Sequence, residues 1–148
     1  MPATVFNPDA RATLLARLDR ITPASPRHWG TLTPVGMLAH LSECARMALG
    51  ELVIPPKRTP LRMPPLRHAI IHWLPFPKGA PTAPELVARA GEDCAGEAAA
   101  LRTLVERFAQ TQEALTSAVH PAFGHLSQRD WGVLVHKHMD HHLRQFGA

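Results

Sequence analysis

Residues 131–147 read WGVLVHKHMDHHLRQFG, a stretch that holds four of the ten histidines of this 148-residue chain. A helical step of about 100° per residue gathers one set of side chains within an arc of roughly 140°. This arc consists of Trp131, Leu134, Val135, His138, Met139, His142, Gln145 and Phe146. His138 and His142 lie near its middle, where an amphipathic helix usually carries leucine. The stretch therefore predicts a core-packed helix with two histidines on its buried face.

The spacing of these two histidines predicts a metal site. Imidazoles at positions i and i+4 of a helix can bind one ion. A third ligand is predicted on an earlier helix, whose apolar side consists of Met37, His40, Leu41, Cys44, Met47 and Ala48. Three neutral imidazoles inside a bundle suit Zn²⁺, Ni²⁺ or Fe²⁺ and leave coordination positions open. We expect His40, His138 and His142 to be the ligands.

Two neighbours of these histidines have more than one interpretation. Cys44 lies one turn after His40 and is either a fourth ligand or a small buried side chain. Gln145 lies about one turn after His142 and either hydrogen-bonds near the metal or caps the end of the helix.

Capping signals predict where four helices begin and end. Asn7-Pro8 begins the first helix, and the sequence TPASP at 22–26 ends it. Thr33-Pro34 begins the second, and Gly50 is a natural residue to follow its end. The third occupies most of Glu92–Ala118, with an apolar stripe of Leu101, Leu104, Val105, Phe108, Gln112 and Leu115. A capping-box pattern at 127–130 begins the fourth, which extends to about residue 145.

The segment between the second and third helices holds nine prolines from Pro55 to Pro84. Such a segment cannot form a long helix, although residues 66–74 could form a short one. No useful length of the chain alternates in the way a strand does, and no internal repeat is visible. The sequence predicts one all-α domain over residues 1–148, a four-helix bundle with a long proline-rich crossover between helices 2 and 3.

This crossover also carries the positive charge of the chain. Residues 52–84 have a net charge of +5, whereas the remainder carries −1. The segment is either a solvated basic loop or the mouth of a site for a small anionic ligand, for which Arg62 and Arg67 are candidates. Its cations are too dispersed, and the aromatic residues too few, to favour nucleic acid as a partner.

A second histidine pair, His68 and His72, lies within the crossover. It has the same i,i+4 spacing, but prolines bound its segment and Arg67 precedes it. We expect surface or packing roles for this pair rather than metal ligation.

The cysteines and the N-terminal residues exclude several classes of protein. Cys44 and Cys94 stand 50 positions apart with no CxxC motif, which argues against a disulfide framework, a zinc ribbon and a thioredoxin-like site. Residues 1–7 lack the features of a signal peptide, and no apolar run is long enough to span a membrane. We expect a cytoplasmic protein without a membrane partner.

The final helix resembles the closing helix of the DinB/YfiT-like superfamily, whose typical pattern H-x3-H-x2-Q is matched by His138, His142 and Gln145. The stretch RHWGTLTPVGMLAHL at 27–41 resembles the helix that supplies the first metal histidine of that superfamily. The motifs FPKGAPT at 76–82 and HPAFG at 120–124 resemble one uncharacterised bacterial subgroup. Residues 143–144 are Leu-Arg, where many members have Arg-Gly.

The resemblance implies a four-helix bundle with a divalent metal bound by His40, His138 and His142. Some superfamily members are thiol S-transferases that use low-molecular-weight thiols such as mycothiol or bacillithiol, and one is a mycothiol-dependent isomerase. The resemblance thus implies a small-molecule substrate and a thiol cosubstrate. A homodimer is a further expectation.

The sequence is compatible with three functions. The first is a metal-dependent enzyme, either a thiol S-transferase acting on small electrophiles or a metal-assisted hydrolase. Hydrolysis lacks an evident general base, because Glu43 and Asp140, like Ser42 and Arg46, are predicted to face away from the apolar arcs. The second is a non-catalytic metal-binding or stress-associated protein, and the third is a bundle whose histidines only pack.

Overall fold

The computed structural model describes residues 1–111 and 118–148. Five α-helices lie within these residues: α1 (Pro8–Leu18), α2 (Pro34–Ala48), α3 (Pro64–His72), α4 (Cys94–Gln110) and α5 (Gln128–Gln145). Short 3-10 turns occupy Pro60–Arg62 and Pro84–Leu86. Two short antiparallel strands, β1 (Val119–His120) and β2 (Gly124–His125), form a hairpin before α5. The fold is all-α, as predicted.

The helices begin where polar side chains satisfy their first backbone N–H groups. Asn7 accepts a hydrogen bond from the Ala10 N–H, and Thr33 accepts one from the Gly36 N–H. Ser127 does the same for the N–H of Asp130. These three predicted starting points are confirmed. The predicted end of α2 is also confirmed, because Gly50 follows it with a φ of 77°.

α1 is shorter than predicted, whereas α4 occupies most of its predicted range. α1 ends at Leu18, because the N–H groups of Arg20 and Ile21 bond to carbonyls three residues back and tighten the last turn. α4 begins at Cys94, after Asp93 accepts a hydrogen bond from the Gly96 N–H. The predicted stripe positions Gln112 and Leu115 lie outside the described residues.

The crossover contains the short helix that its sequence allows, α3, in addition to the four predicted helices. α3 packs Ile71 into the core, where this residue is 1% exposed. Lys137 of α5 holds the end of α3 by donating hydrogen bonds to the carbonyls of Ile70, Ile71 and Leu74. A cation at this place satisfies carbonyls that a helix leaves unpaired at its C-terminal end.

α2 is the central helix, and its most extensive packing is against α4. It is buried on nearly all sides, so the prediction that Ser42 and Glu43 face away from the core is wrong. The carboxylate of Glu43 is buried, and its ion pairs with Arg46 and Arg89 offset the cost of removing the charge from water. The guanidinium of Arg89 also binds the buried Glu97 of α4, which completes the charge pairing between the two helices.

In the part of the chain that the structure describes, no helix combines the length and the apolar content that crossing a membrane requires.

Candidate metal centre

The fold brings together the three histidines that the sequence singles out. His40 of α2 and His142 of α5 both approach His138 through their Nε2 atoms. The Nε2 atoms of His138 and His142 are 3.1 Å apart, and those of His40 and His138 are 3.3 Å apart. One ligand atom from each residue lies within 4.8 Å of the other two, so the triad could hold one metal ion. His40 is buried, whereas His138 and His142 are partly exposed.

Hydrogen bonds on the far side of two rings determine which nitrogen carries the proton. The Nδ1 of His40 is 3.0 Å from the carbonyl of Leu86, which can only accept, so Nδ1 is the donor. The Nε2 of Gln145 donates to the carbonyl of Trp29 over 2.8 Å, which orients the amide. Its Oε1 therefore accepts from the Nδ1 of His142, over 2.8 Å. Neutral His40 and His142 thus both present an Nε2 lone pair to the centre of the triad.

This arrangement leaves an acceptor without a donor. A proton on the Nε2 of His138 can satisfy His40 or His142, but not both. The other lone pair then faces the cluster unpaired, at a cost of about 1 to 3 kcal/mol for a buried polar group. A cation at the centre would satisfy all three nitrogens at once. The residues present therefore fit a divalent metal ion.

The environment keeps the imidazoles in the neutral form that binds metal. Burial lowers the pKa of His40, and the bond to Leu86 opposes this only in part. Burial and the neighbouring histidines lower the pKa of His142 to about 4, although the bond to Gln145 raises it. The same two causes hold the pKa of His138 well below its usual range. All three side chains are neutral at pH 7 in the metal-free protein.

A close approach of the 28–30 loop holds Gln145 in place. The backbone N–H of His28 donates to the Gln145 carbonyl over 2.8 Å. Gly30 has a φ of 76°, and a Cβ at this position would come within 2.6 Å of the Gln145 Nε2. Glycine suits this position because it adopts the left-handed backbone without strain and leaves the Gln145 amide undisturbed.

Cys44 lies beside the triad but outside it. Its Sγ is 3.8 Å from both ring nitrogens of His40, so it is on the lone-pair axis of neither. Burial, with a contribution from Glu43, raises the pKa of the Cys44 thiol. The side chain is therefore a protonated thiol, and thiolate is the form that binds metal.

Two aromatic residues and one cation lie close to His138 and to His141, which neighbours the triad in α5. The ring of Phe76 lies 6.0 Å from those of His138 and His141, and the Trp29 ring lies 5.4 Å from that of His141. The Nζ of Lys78 lies 4.7 Å from the centre of the Trp29 ring. Sequence reasoning assigned no role to Trp29, Phe76 or Lys78, although all three belong to the stretches that carry the family resemblance. The role of the Leu86 carbonyl could not be predicted from the sequence, because every residue has a backbone carbonyl.

The two arginines proposed for the site entrance make other contacts. Arg62 donates to the carbonyls of Lys57 and Pro121. Arg67 donates to those of Phe123 and His125. Both therefore tie the crossover to the β1–β2 hairpin, whereas Lys78 of the crossover lies over the ring of Trp29.

A scan against protein-family models matches residues 55–148 to the family described as "Protein of unknown function (DUF1569)". The match covers almost two thirds of the chain. The chain belongs to DUF1569. Neither the curated proteins nor the solved structures yield a match. The DUF1569 region contains His138 and His142, whereas His40 precedes it.

The DUF1569 region also contains a second candidate group, formed by His68, His72 and Asp130. The Nε2 of His72 lies 2.6 Å from the Oδ1 of Asp130, and His68 is exposed beside them. The sequence paired the two histidines by spacing but gave no sign of Asp130, which α5 supplies from 58 residues farther along the chain.

Proposed function

We propose that His40, His138 and His142 bind one divalent metal ion, and that the chain is a metal-dependent enzyme related to the DinB/YfiT-like superfamily. The observation that carries this proposal is the convergence of three Nε2 atoms, two of which are held as lone-pair donors by bonds at Nδ1. Zn²⁺, Ni²⁺ and Fe²⁺ suit three neutral imidazoles. When bound, such an ion lowers the pKa of a coordinated thiol or water and supplies a nucleophile near neutral pH.

The protein's own residues orient the ligands and keep them neutral. The carbonyl of Leu86 and the amide of Gln145 hold the rings of His40 and His142 by their Nδ1 protons. Such partners raise the basicity of the ligating nitrogen and restrict rotation of the ring. His138 and His142 are partly exposed, and we propose that a small molecule reaches the triad from their side.

We propose transfer of a thiol to a small electrophile as the reaction. Trp29 and Phe76 offer apolar surface beside the triad, and Lys78 offers a positive charge for a carboxylate-bearing thiol. Metal-assisted hydrolysis is less well supported, because the two acids that the sequence offers as bases, Glu43 of α2 and Asp140 of α5, are paired with arginines. Glu43 binds Arg46 and Arg89, while Asp140 binds Arg17 and Arg144.

Elemental analysis of protein purified without a histidine tag tests metal binding. We expect one ion in the triad, lost in His138→Ala and His142→Ala and kept in the control His136→Ala. Equal metal loss in all three variants would contradict the ligand assignment. Consumption of low-molecular-weight thiols with a panel of electrophiles then tests the reaction. Activity that is absent from the metal-loaded protein with every pair would contradict the transferase proposal.

A further inference from the structure

A second group of metal-ligating side chains lies where α3 meets the first turn of α5. His68 and His72 stand four residues apart on α3, with their ring centroids separated by 4.4 Å. Asp130 of α5 lies 2.6 Å from the Nε2 of His72. One ligand atom from each of the three residues lies within 4.8 Å of the other two. Two imidazole nitrogens and one carboxylate oxygen are therefore close enough together to bind one ion.

The backbone beneath this group is firmly held. Ile71, next to His72, is buried in the core, and Lys137 fixes the carbonyl end of α3 to α5. The side chain of His72 is only 3% exposed. Asp130 stands in the first turn of α5, where the N-cap Ser127 binds its backbone N–H. Two of the three ligand groups, His72 and Asp130, are therefore held in place by packed helices, and the exposed His68 lies beside them.

The charge of the group favours a cation. Asp130 contributes a carboxylate, and a carboxylate oxygen is a suitable ligand for a divalent cation. The nearby Arg67 directs its guanidinium to the carbonyls of Phe123 and His125. Arg67 and Asp130 both line the adjacent pocket but form no ion pair with each other.

Next to the group is a surface pocket of about 440 Å³. Its walls include His68, Asp130 and the exposed ring of Trp73, which packs edge-on against His68 at 4.9 Å. An ion bound by His68, His72 and Asp130 would therefore have solvent and space on one side.

We propose that His68, His72 and Asp130 form a second site for a divalent transition-metal ion, separate from the triad. Two imidazoles and one carboxylate suit Zn²⁺ or Fe²⁺ and leave coordination positions directed at the pocket. Asp130 and His138 are eight residues apart on α5, about 12 Å along the helix axis, so each site holds its own ion.

The competing explanation is a hydrogen bond between His72 and Asp130 that only ties α3 to α5. The two explanations differ in what they require of His68. A hydrogen-bonded tie does not involve this exposed side chain, whereas a metal site does. His68→Ala therefore separates them without removing a buried group.

Zinc binding to chelator-stripped, untagged protein tests the proposal through its stoichiometry. We expect two ions per chain in the wild type, one in His68→Ala, one in His142→Ala and none in the double variant. His125→Ala, which removes an equally exposed histidine from the nearby hairpin, is expected to keep both. If His142→Ala binds no zinc, or if His68→Ala binds as much as the wild type, the second site does not exist. A wild type that binds one ion, which His68→Ala loses and His142→Ala keeps, would instead refute the triad alone.

Asp130→Asn tests the carboxylate ligand. We expect zinc affinity at the second site to fall by about tenfold or more in a His142→Ala background, because one of three ligands loses its charge. Asp9→Asn is the matched control, since it also removes an acid from the first turn of a helix. Equal zinc affinity in the Asp130→Asn and Asp9→Asn proteins would show that the two histidines bind zinc without the carboxylate. That result would overturn the proposed ligand set.

Discussion

His142 donates a hydrogen bond from Nδ1 to the Oε1 of Gln145, three residues later on the same helix, over 2.8 Å. The amide of Gln145 is oriented in turn by the carbonyl of Trp29. A backbone carbonyl outside α5 thereby determines which nitrogen of His142 is free to bind metal.

Gln145→Leu removes the amide that orients the His142 ring and keeps a side chain of similar size. We expect metal affinity at the triad to fall by about 10- to 100-fold, in line with other partners of metal-binding histidines. Competition with a chromophoric chelator measures the change. The exposed Gln110→Leu serves as control, and unchanged affinity in Gln145→Leu would show that the ring needs no partner at Nδ1.

Lys137→Met removes the side chain that caps α3. We expect a loss of about 1 kcal/mol in the free energy of unfolding, because the α3 carbonyls lose a charged donor. Urea denaturation measures this, and hydrogen exchange should increase within Pro64–His72. Lys57→Met, at an exposed position of the crossover, should change neither. An Lys137→Met protein as stable as the wild type would contradict the capping role.

Glu43→Gln tests whether the buried acid of α2 has a structural or a catalytic role. We expect a loss of about 1 kcal/mol in stability, since Arg46 and Arg89 are about two-fifths exposed and the pairs are screened by solvent. Metal content and any turnover should remain. Loss of turnover with full metal content would instead identify Glu43 as a general base.

His120 makes the stability of the fold depend on acid. Its Nδ1 accepts hydrogen bonds from the N–H groups of Ala122 and Phe123, and burial lowers its pKa from 6.5 to about 4. Between these two values the unfolded chain binds a proton that the folded chain does not. Stability therefore falls as the pH falls, with a slope of about 1.4 kcal/mol per pH unit for each such histidine.

His120→Asn should keep the turn, because an asparagine side chain accepts the same backbone N–H groups, but it cannot titrate. We expect a shallower loss of stability between pH 6.5 and 4 in metal-free protein. Chemical denaturation at several pH values measures the slope. A variant with the full wild-type slope would contradict the assignment to His120.

Features that depend on neighbouring residues could be predicted from the sequence. The helix starts at Asn7, Thr33 and Ser127 follow from caps that act within three residues. The pairing of His138 with His142 follows from helical periodicity. The core-facing position of His40 also follows, since it needs only the apolar side of its own helix.

Features that depend on packing between distant segments could not be predicted. The burial of Glu43 was not predicted, because the assignment of apolar and polar sides to a helix assumes that one face is exposed to solvent. Almost no face of α2 is exposed. The contacts of Lys137 with α3, and of Asp130 with His72, join residues 58 to 67 positions apart. The β1–β2 hairpin has two residues per strand, which is too short to produce an alternating pattern.

The triad joins His40 to a residue 98 positions away, which has a consequence for the order of folding. In a zinc finger the ligands are close in sequence, so the ion can organise an unfolded chain. Here the ligands come from two different helices, α2 and α5, and they converge only when these helices have packed together. We therefore expect the bundle to assemble first and take up its ion afterwards. The rate of metal uptake should therefore be a property of the folded bundle. Removal of the ion by a chelator should leave the chain folded.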